Sequence, residues 1–261
     1  MGTNVKSIAV IIPVVGEWRK QNLAMALMFL RKQSFQDIEI ILVEQTDCKI
    51  GGQRSKRAFF NKAPVDKYIA VTNTINHEFN QPWLANVGAQ LADAKKLLFF
   101  DSDLITRKHY LKNVHEFDEP FFYAWNKCLH YSQKITSKIY QTKKLLSDSN
   151  AEEHIAGVKA HEGYSVCTDR DFFFKQLGCY NENLFGWGGN DNEISARVRH
   201  FLGRGIKSLP VPISHLWHPR GYAHSTNRGF VIAARKNPER ITNLLLNKKL
   251  GSTKNPTLIK I

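Results

Sequence analysis

No stretch of this chain stays apolar for the roughly 20 residues that a membrane-spanning helix needs, so none is expected. The apolar run near the start, Ile8 to Val15, is broken by Pro13 and has no cleavage-like tail, which predicts a strand and not a signal peptide. Cysteine is scarce and unpaired in spacing. Cys48, Cys128, Cys167 and Cys179 lack the close pairs of zinc ribbons and disulfide frameworks, which fits a reducing compartment and makes the cytoplasm the default. There is no Gly-x-Gly-x-x-Gly turn and no Walker lysine loop, so dinucleotide and P-loop readings have no support. Internal repeats and low-complexity segments are also absent. Acidic residues are few: 23 Asp and Glu stand against 37 Lys and Arg, a net charge of +14. That excess attracts polyanions such as nucleic acid, anionic headgroups or phosphorylated substrates. The charge is dispersed in short clusters, among them Arg54-Ser55-Lys56-Arg57, Lys143-Lys144 and Lys248-Lys249, and is not a basic tail.

What is present is an alternation of strand and helix patterns in the first half of the chain. Ser7 to Val15 is a continuous β-rich run of the kind parallel sheets bury on both faces. Glu17 to Lys32 carries Leu23, Leu27 and Leu30 at helical spacing. Asp37 to Glu44 and Lys67 to Thr72 predict two more strands, Trp83 to Ala94 a helix, and Leu97 to Phe100 a fourth strand. The order β-α-β-β-α-β implies a Rossmann-like sheet with a crevice at its carboxyl edge. Beyond that point Lys127 to Ser147 is predicted helical, Ser147 to His161 a polar connection, and Gly163 to Thr168 a strand. A helix with Ile194, Val198, Phe201 and Leu202 on one stripe follows, then a short strand near Ile206 to Val211. Basic helices are expected from about Thr226 to Lys249.

The fourth strand delivers Asp101-Ser102-Asp103 at its C-terminal end. In extended chain, positions i and i+2 share a side, so both carboxylates are expected in one pocket. Two hard oxygen ligands at that edge of an α/β sheet suit a divalent metal and its phosphates, although most Asp-x-Asp sequences are solvated turns.

Three ordered segments together resemble GT-A glycosyltransferases, the β-1,4-galactosyltransferase type and related bacterial polysaccharide transferases (family 2-like). Phe79-Asn80-Gln81-Pro82-Trp83-Leu84-Ala85-Asn86-Val87-Gly88 is similar to the family's Phe-Asn-Arg-x-x-Leu-x-Asn-Val-Gly. Asp101-Ser102-Asp103-Leu104 resembles its metal motif, and Phe185 to Glu193 its Gly-Trp-Gly-Gly-Glu-Asp segment, preceded by Gly163-Tyr164-Ser165 and by Leu177 to Glu182. The likeness spans about residues 7 to 220. Two departures stand out: Gln81 replaces an arginine expected at the donor diphosphate, and Asn190 replaces the acid before the catalytic aspartate.

The resemblance implies an α/β GT-A fold, a mixed and mainly parallel sheet flanked by helices with a C-terminal helical portion on the acceptor side. Residues 1–105 form the nucleotide-sugar half, 106–225 the acceptor and catalytic half, and 226–261 a basic helical extension. It implies an inverting, metal-dependent transfer from a UDP-sugar to a glycan acceptor, with Mn²⁺ or Mg²⁺ as cofactor. Asp103 is the expected direct ligand, His218 a second and His215 a third, which requires a bend between the two histidines. Asp101 acts through water or the donor ribose. Asp191 is the expected general base, and Glu193 or Glu182 come next. Asn190-x-x-Glu193 also reads as a helix capping box, which is compatible with that role. Pro13, Val14 and Val15 line the base and ribose, Glu44 or Gln45 reads the base edge, and Asn80 and Asn86 belong to the donor side. Gly163, Tyr164, Trp187, Gly188, Gly189 and Asn190 belong to the acceptor side, Trp187 offering either a pyranose platform or core packing.

The acceptor stays open on sequence grounds. A lipid-linked glycan would bring the basic surface to the inner face of a membrane. A hydroxylated base in DNA would suit the same charge, and a non-catalytic polyanion binder on the same fold is a third reading.

Overall fold

The computed structural model describes residues 5–16, 19–50, 53–55, 60–147, 149, 151–158, 161–186, 188–219 and 227–260, with side chains at 49–55 excepted. Trp187 therefore lies outside the described residues. In chain order the elements are β1 (Lys6–Val15), α1 (Lys20–Arg31), β2 (Ile38–Thr46), β3 (Cys48–Ile50), β4 (Gln53–Ser55), β5 (Lys67–Thr72), α2 (Gln81–Leu91) and β6 (Ala94–Phe100). Then come β7 (Leu104–Ile105), α3 (Tyr110–Glu116), β8 (Phe121–Tyr123), β9 (Lys127–His130), α4 (Gln133–Thr142), β10 (Glu152–Ile155) and β11 (Ser165–Asp169). The chain closes with α5 (Asn190–Leu202), β12 (Lys207–Ser208), β13 (Pro212–His215), α6 (Arg228–Lys236) and α7 (Pro238–Leu246).

Seven strands form the main sheet in the order β12-β8-β11-β6-β1-β2-β5. The pairs β6–β1, β1–β2, β2–β5 and β12–β8 are parallel, while β11 runs antiparallel to both its neighbours. The mixed, mainly parallel α/β sheet expected from the sequence is thus present, consistent with a GT-A, Rossmann-like arrangement. Its centre is dry because β1 and β2 are buried on both faces: Ile8 to Ile12 and Ile40 to Val43 are all fully buried. The β1–β2 ladder continues to Val15 and Gln45, whereas β1–β6 stops at Ile11 and Phe99. Pro13, which has no N–H to give, stands just past that stop, where the sheet parts into a cleft.

A second sheet, β10-β9-β13-β7, sits beyond β6 and corrects two expectations. The segment predicted helical from Lys127 begins as β9, with only Gln133–Thr142 helical as α4. The polar connection before His161 contains β10, which pairs with β9. Hydrophobic periodicity could not show either strand, because both are short and half-polar. On α5, Phe201 is an exposed residue, and Arg197 takes the buried place beside Ile194 and Val198. Arg197 is held by Glu193, with Nη2 to Oε2 at 2.8 Å and Nε to Oε1 at 3.1 Å, and by the Cys179 carbonyl at 3.0 Å. The C-terminal segment packs into the same core through Ile241, Leu245, Leu250 and Ile259. No described helix is long and apolar enough to cross a membrane.

Candidate active site

After β6 the chain leaves extended geometry. Asp101 N–H donates to the Tyr164 carbonyl at 3.0 Å, and Leu104 N–H closes a turn onto the Asp101 carbonyl at 3.3 Å. The strand alternation therefore does not place the two aspartates; the turn does. Asp101 faces the cleft and accepts a hydrogen bond from Gln81 Nε2 at 2.9 Å. Asp103 is fully buried, and three cationic or ligating side chains converge on it. His215 Nε2 lies 3.4 Å from Oδ1, His218 Nε2 lies 3.3 Å from Oδ2, and the Arg19 guanidinium pairs with Oδ2.

The bend that joint binding by the two histidines requires is present. β13 ends at His215, Leu216 N–H donates to the Asp103 carbonyl at 2.9 Å, and Trp217 N–H donates to Thr136 Oγ1 at 2.9 Å. Those two bonds turn the chain so that His218 comes back to Asp103. His218 Nδ1 donates to the Pro219 carbonyl at 2.7 Å, which holds the ring with Nε2 on the Asp103 side.

This donor set fits a divalent metal. One carboxylate oxygen and two imidazole nitrogens lie within 4.8 Å of one another, and Asp103 Oδ1 is buried without a hydrogen-bond partner among the described residues. Imidazole ligands favour Mn²⁺ and its transition-metal neighbours over Mg²⁺, which prefers oxygen.

The electrostatics separate the two aspartates. Burial alone would raise Asp103, but Arg19, His215 and His218 outweigh it and hold that carboxyl well below the usual range. Asp101 goes the other way, raised by burial and by the charges of Asp103 and Asp191, against Arg19 and Gln81. Burial pushes His215 down to about 4 despite Asp103, so its imidazole is neutral near pH 7.

Asp191 stands across the cleft at the start of α5. The expected capping box is absent. The N-cap is Gly189, at φ +91°, without a side-chain cap, and Glu193 turns instead to Arg197. Asn190 is the first helical residue, and its Nδ2 approaches Asp191 Oδ1 at 3.4 Å. A Cβ on Gly189 would lie 3.0 Å from Asn227 Cβ, so packing against α6 as well as backbone freedom requires glycine there. A Cβ on Gly163 would lie only 2.6 Å from Asp191 Oδ2. Burial, then the nearby Glu162 charge, pushes Asp191 up to about 7. Glu162 accepts from Asn192 Nδ2 at 2.7 Å and pairs with Arg199. With Glu193 locked to Arg197, and Glu182 accepting from Asn86, Gly251 N and Thr257 N, neither alternative acid faces the cleft.

Pro13, Val14 and Val15 line the cleft together with Phe60, Phe79 and Arg19. Four expected donor residues have other partners. Glu44 is buried and accepts from Phe60 N at 3.2 Å and from Tyr68 Oη at 2.7 Å. Gln45 bridges the Glu78 carbonyl and Asn80 N. Asn80 caps α2 through Trp83 N and donates to the Glu182 carbonyl, and Asn86 exchanges bonds with Tyr180 and Glu182. Each of the four satisfies buried backbone or side-chain groups beside the cleft. Gly163, Tyr164 and Asn190 line the cleft beside Asp191. Gly188 has open space at its Cα, and its carbonyl accepts from Asn227 Nδ2 at 2.7 Å. Sequence reasoning missed Arg19, a lone arginine without motif, and Glu162, whose only signal was its place before Gly163-Tyr164.

No family model and no curated protein matches the chain. Among solved structures it is similar to the catalytic domain of Drosophila β1,4-galactosyltransferase 7 in complex with xylobiose. The identity is 17%, the TM-score 0.48, and the match covers 87% of this chain and 80% of that one.

Proposed function

We propose that this chain is an inverting, metal-dependent glycosyltransferase that moves a sugar from a UDP-sugar to a hydroxyl of a glycan acceptor. The observation that carries the reading is the convergence of His215 and His218 on Asp103, beside a cleft shared by Asp101 and Asp191. Asp103, His215 and His218 would hold Mn²⁺, which supplies positive charge for the departing diphosphate when bound. Pro13, Val14 and Val15 flank the nucleoside, and Asp101, backed by Gln81, orients the donor ribose. Asp191, near 7, takes the acceptor proton as the hydroxyl attacks. Gly163 gives that carboxylate room, and Tyr164 and Asn190 border the acceptor.

The net charge of +14 favours an anionic acceptor setting. A lipid-linked glycan at the inner membrane face, met by a peripheral cytoplasmic protein, is our first choice, and hydroxylated DNA is the second. Strong salt-dependent binding to duplex DNA would select the second. The test of the central reading is a panel of UDP-sugars with and without metal. Hydrolysis of at least one, stopped by chelation and restored by Mn²⁺ better than by Mg²⁺, is the expected result. Absence of nucleotide-sugar binding and hydrolysis under every metal condition would sink it.

A further inference from the structure

The second sheet turns one row of imidazoles toward the Asp103 site. The register of β9 and β13 pairs His130 with His215, and their rings stack at 4.3 Å with planes 12° apart. His154 lies 4.0 Å from His130, and His161 stacks on His154 at 3.9 Å. Tyr164 Oη stands between two of these rings, 2.9 Å from His130 Nε2 and hydrogen-bonded to His154 Nδ1. His154 Nε2 lies 2.9 Å from Glu152 Oε1.

The bonds have a direction. The Glu152 carboxylate only accepts, so His154 Nε2 carries a hydrogen. The Tyr164 hydroxyl bridges His154 Nδ1 and His130 Nε2, so one oxygen joins the two imidazoles. Tyr164 reaches this place at φ +68°, a backbone conformation bulky L-residues rarely adopt. The same conformation presents the Tyr164 carbonyl to Asp101 N–H.

We infer that His130 is a positioning residue for the metal ligand His215, oriented by the chain Glu152–His154–Tyr164–His130. This rests on the metal reading of Asp103, His215 and His218. A stacked ring slides more easily than it tilts, so fixing the plane of His130 fixes that of His215 and aims its Nε2 at Asp103 Oδ1. Outer partners that hydrogen-bond a metal-binding histidine change metal affinity by about 10- to 100-fold when removed, and a stacked partner should act at the lower end of that range.

The experiment is Mn²⁺ titration by calorimetry on nucleotide-free protein, with visible absorption of the Co²⁺ form reporting ligand geometry. Tyr164→Phe keeps the ring and the backbone and loses only the hydroxyl; His130→Phe keeps a stacked ring but loses the hydrogen bond. Each should weaken Mn²⁺ binding about 10-fold and alter the Co²⁺ spectrum, with circular dichroism unchanged. The double variant should be no weaker than the His130→Phe single, because both act through one chain. Wild-type affinity and spectrum in both variants, beside lost binding in Asp103→Ala, overturn the inference alone. If wild type takes up no metal, or Asp103→Ala binds as well as wild type, the metal reading falls and this inference falls with it.

Discussion

The guanidinium of Arg19 rests on the Oδ2 atom of Asp103, the same oxygen that His218 approaches at 3.3 Å. Asp103 has no exposed surface and the Arg19 side chain is 14% exposed, so the pair sits in a low-dielectric place where a lone carboxylate is costly. A divalent ion on Asp103 would compete with this cation. Arg19→Ala should therefore bind Mn²⁺ more tightly, by about tenfold, while the metal-free protein loses about 3 kcal/mol of stability. Calorimetric titration and chemical denaturation with and without Mn²⁺ check both halves. Unchanged metal affinity would mean that Arg19 and the metal do not share the carboxylate.

Asp191→Asn should cut turnover by about 10²-fold or more, with donor affinity retained. In the wild type the rate should rise with pH through about 7, because only the carboxylate form accepts the proton. The stability effect has the opposite sense. A carboxyl raised from 3.8 to about 7 binds its proton more tightly folded than unfolded. Its stabilising contribution is complete below about pH 4 and is lost as pH climbs through about 7. The Asn variant should thus gain in melting temperature relative to wild type as pH goes from 5 to 8. A folded variant with near-normal turnover would leave Asp191 as a helix-start residue only.

The parts of this architecture visible in the sequence are those set by local patterns. β1 and β2 announce themselves because strands buried on both faces are written almost wholly in Ile, Val and Leu. Asp101 and Asp103 were visible as a pair, but their separation into a cleft-facing and a buried carboxyl depends on the turn to Leu104 and on Tyr164, which are tertiary facts. Asn80 and Asn86 are expected on the donor side because they fall in the segment that resembles the family motif; their partners Glu182 and Tyr180 are about 100 residues away and invisible to spacing. Arg19 and His130 were missed for the same reason. Each is a single polar residue whose meaning comes from a strand or turn that approaches from elsewhere.

Asn86→Ala separates a structural role from a donor-binding one. The side chain satisfies Tyr180 N at 3.0 Å, the Tyr180 carbonyl at 2.9 Å and Glu182 Oε1 at 2.9 Å, all buried. Truncation leaves those groups unpaired and should cost about 3 kcal/mol in denaturant unfolding. UDP affinity of the folded variant should stay near wild type. A large loss of UDP affinity with normal stability would return Asn86 to the donor site.

Glu162→Gln tests what sets the Asp191 acidity. Glu162 is the neighbouring charge that, after burial, pushes Asp191 upward, and it also neutralises Arg199. Removing its charge lifts the repulsion and leaves the Arg199 cation uncompensated nearby. Both changes favour the Asp191 carboxylate. The rising limb of the pH–rate profile should move to lower pH, while Mn²⁺ affinity at Asp103 stays the same. A profile that keeps its midpoint near 7 would show that burial alone sets the acidity.

Gly163→Ala is the most economical probe of the acceptor side. The added Cβ would fall 2.6 Å from Asp191 Oδ2 and 3.0 Å from Asp191 Cγ, too close for either to stay in place. The atoms in conflict are the end of one side chain and not backbone, so the carboxylate rotates and the fold is kept. Turnover should fall by about 10- to 10²-fold, since displacement by about 1 Å is enough to misalign a reacting group. Metal and UDP affinities should hold, because the three atoms that the added methyl would meet most closely all belong to Asp191. The double variant Gly163→Ala, Asp191→Asn should be no slower than Asp191→Asn alone, because the methyl acts only by moving the base. Additive losses would instead assign Gly163 a contact with the acceptor itself.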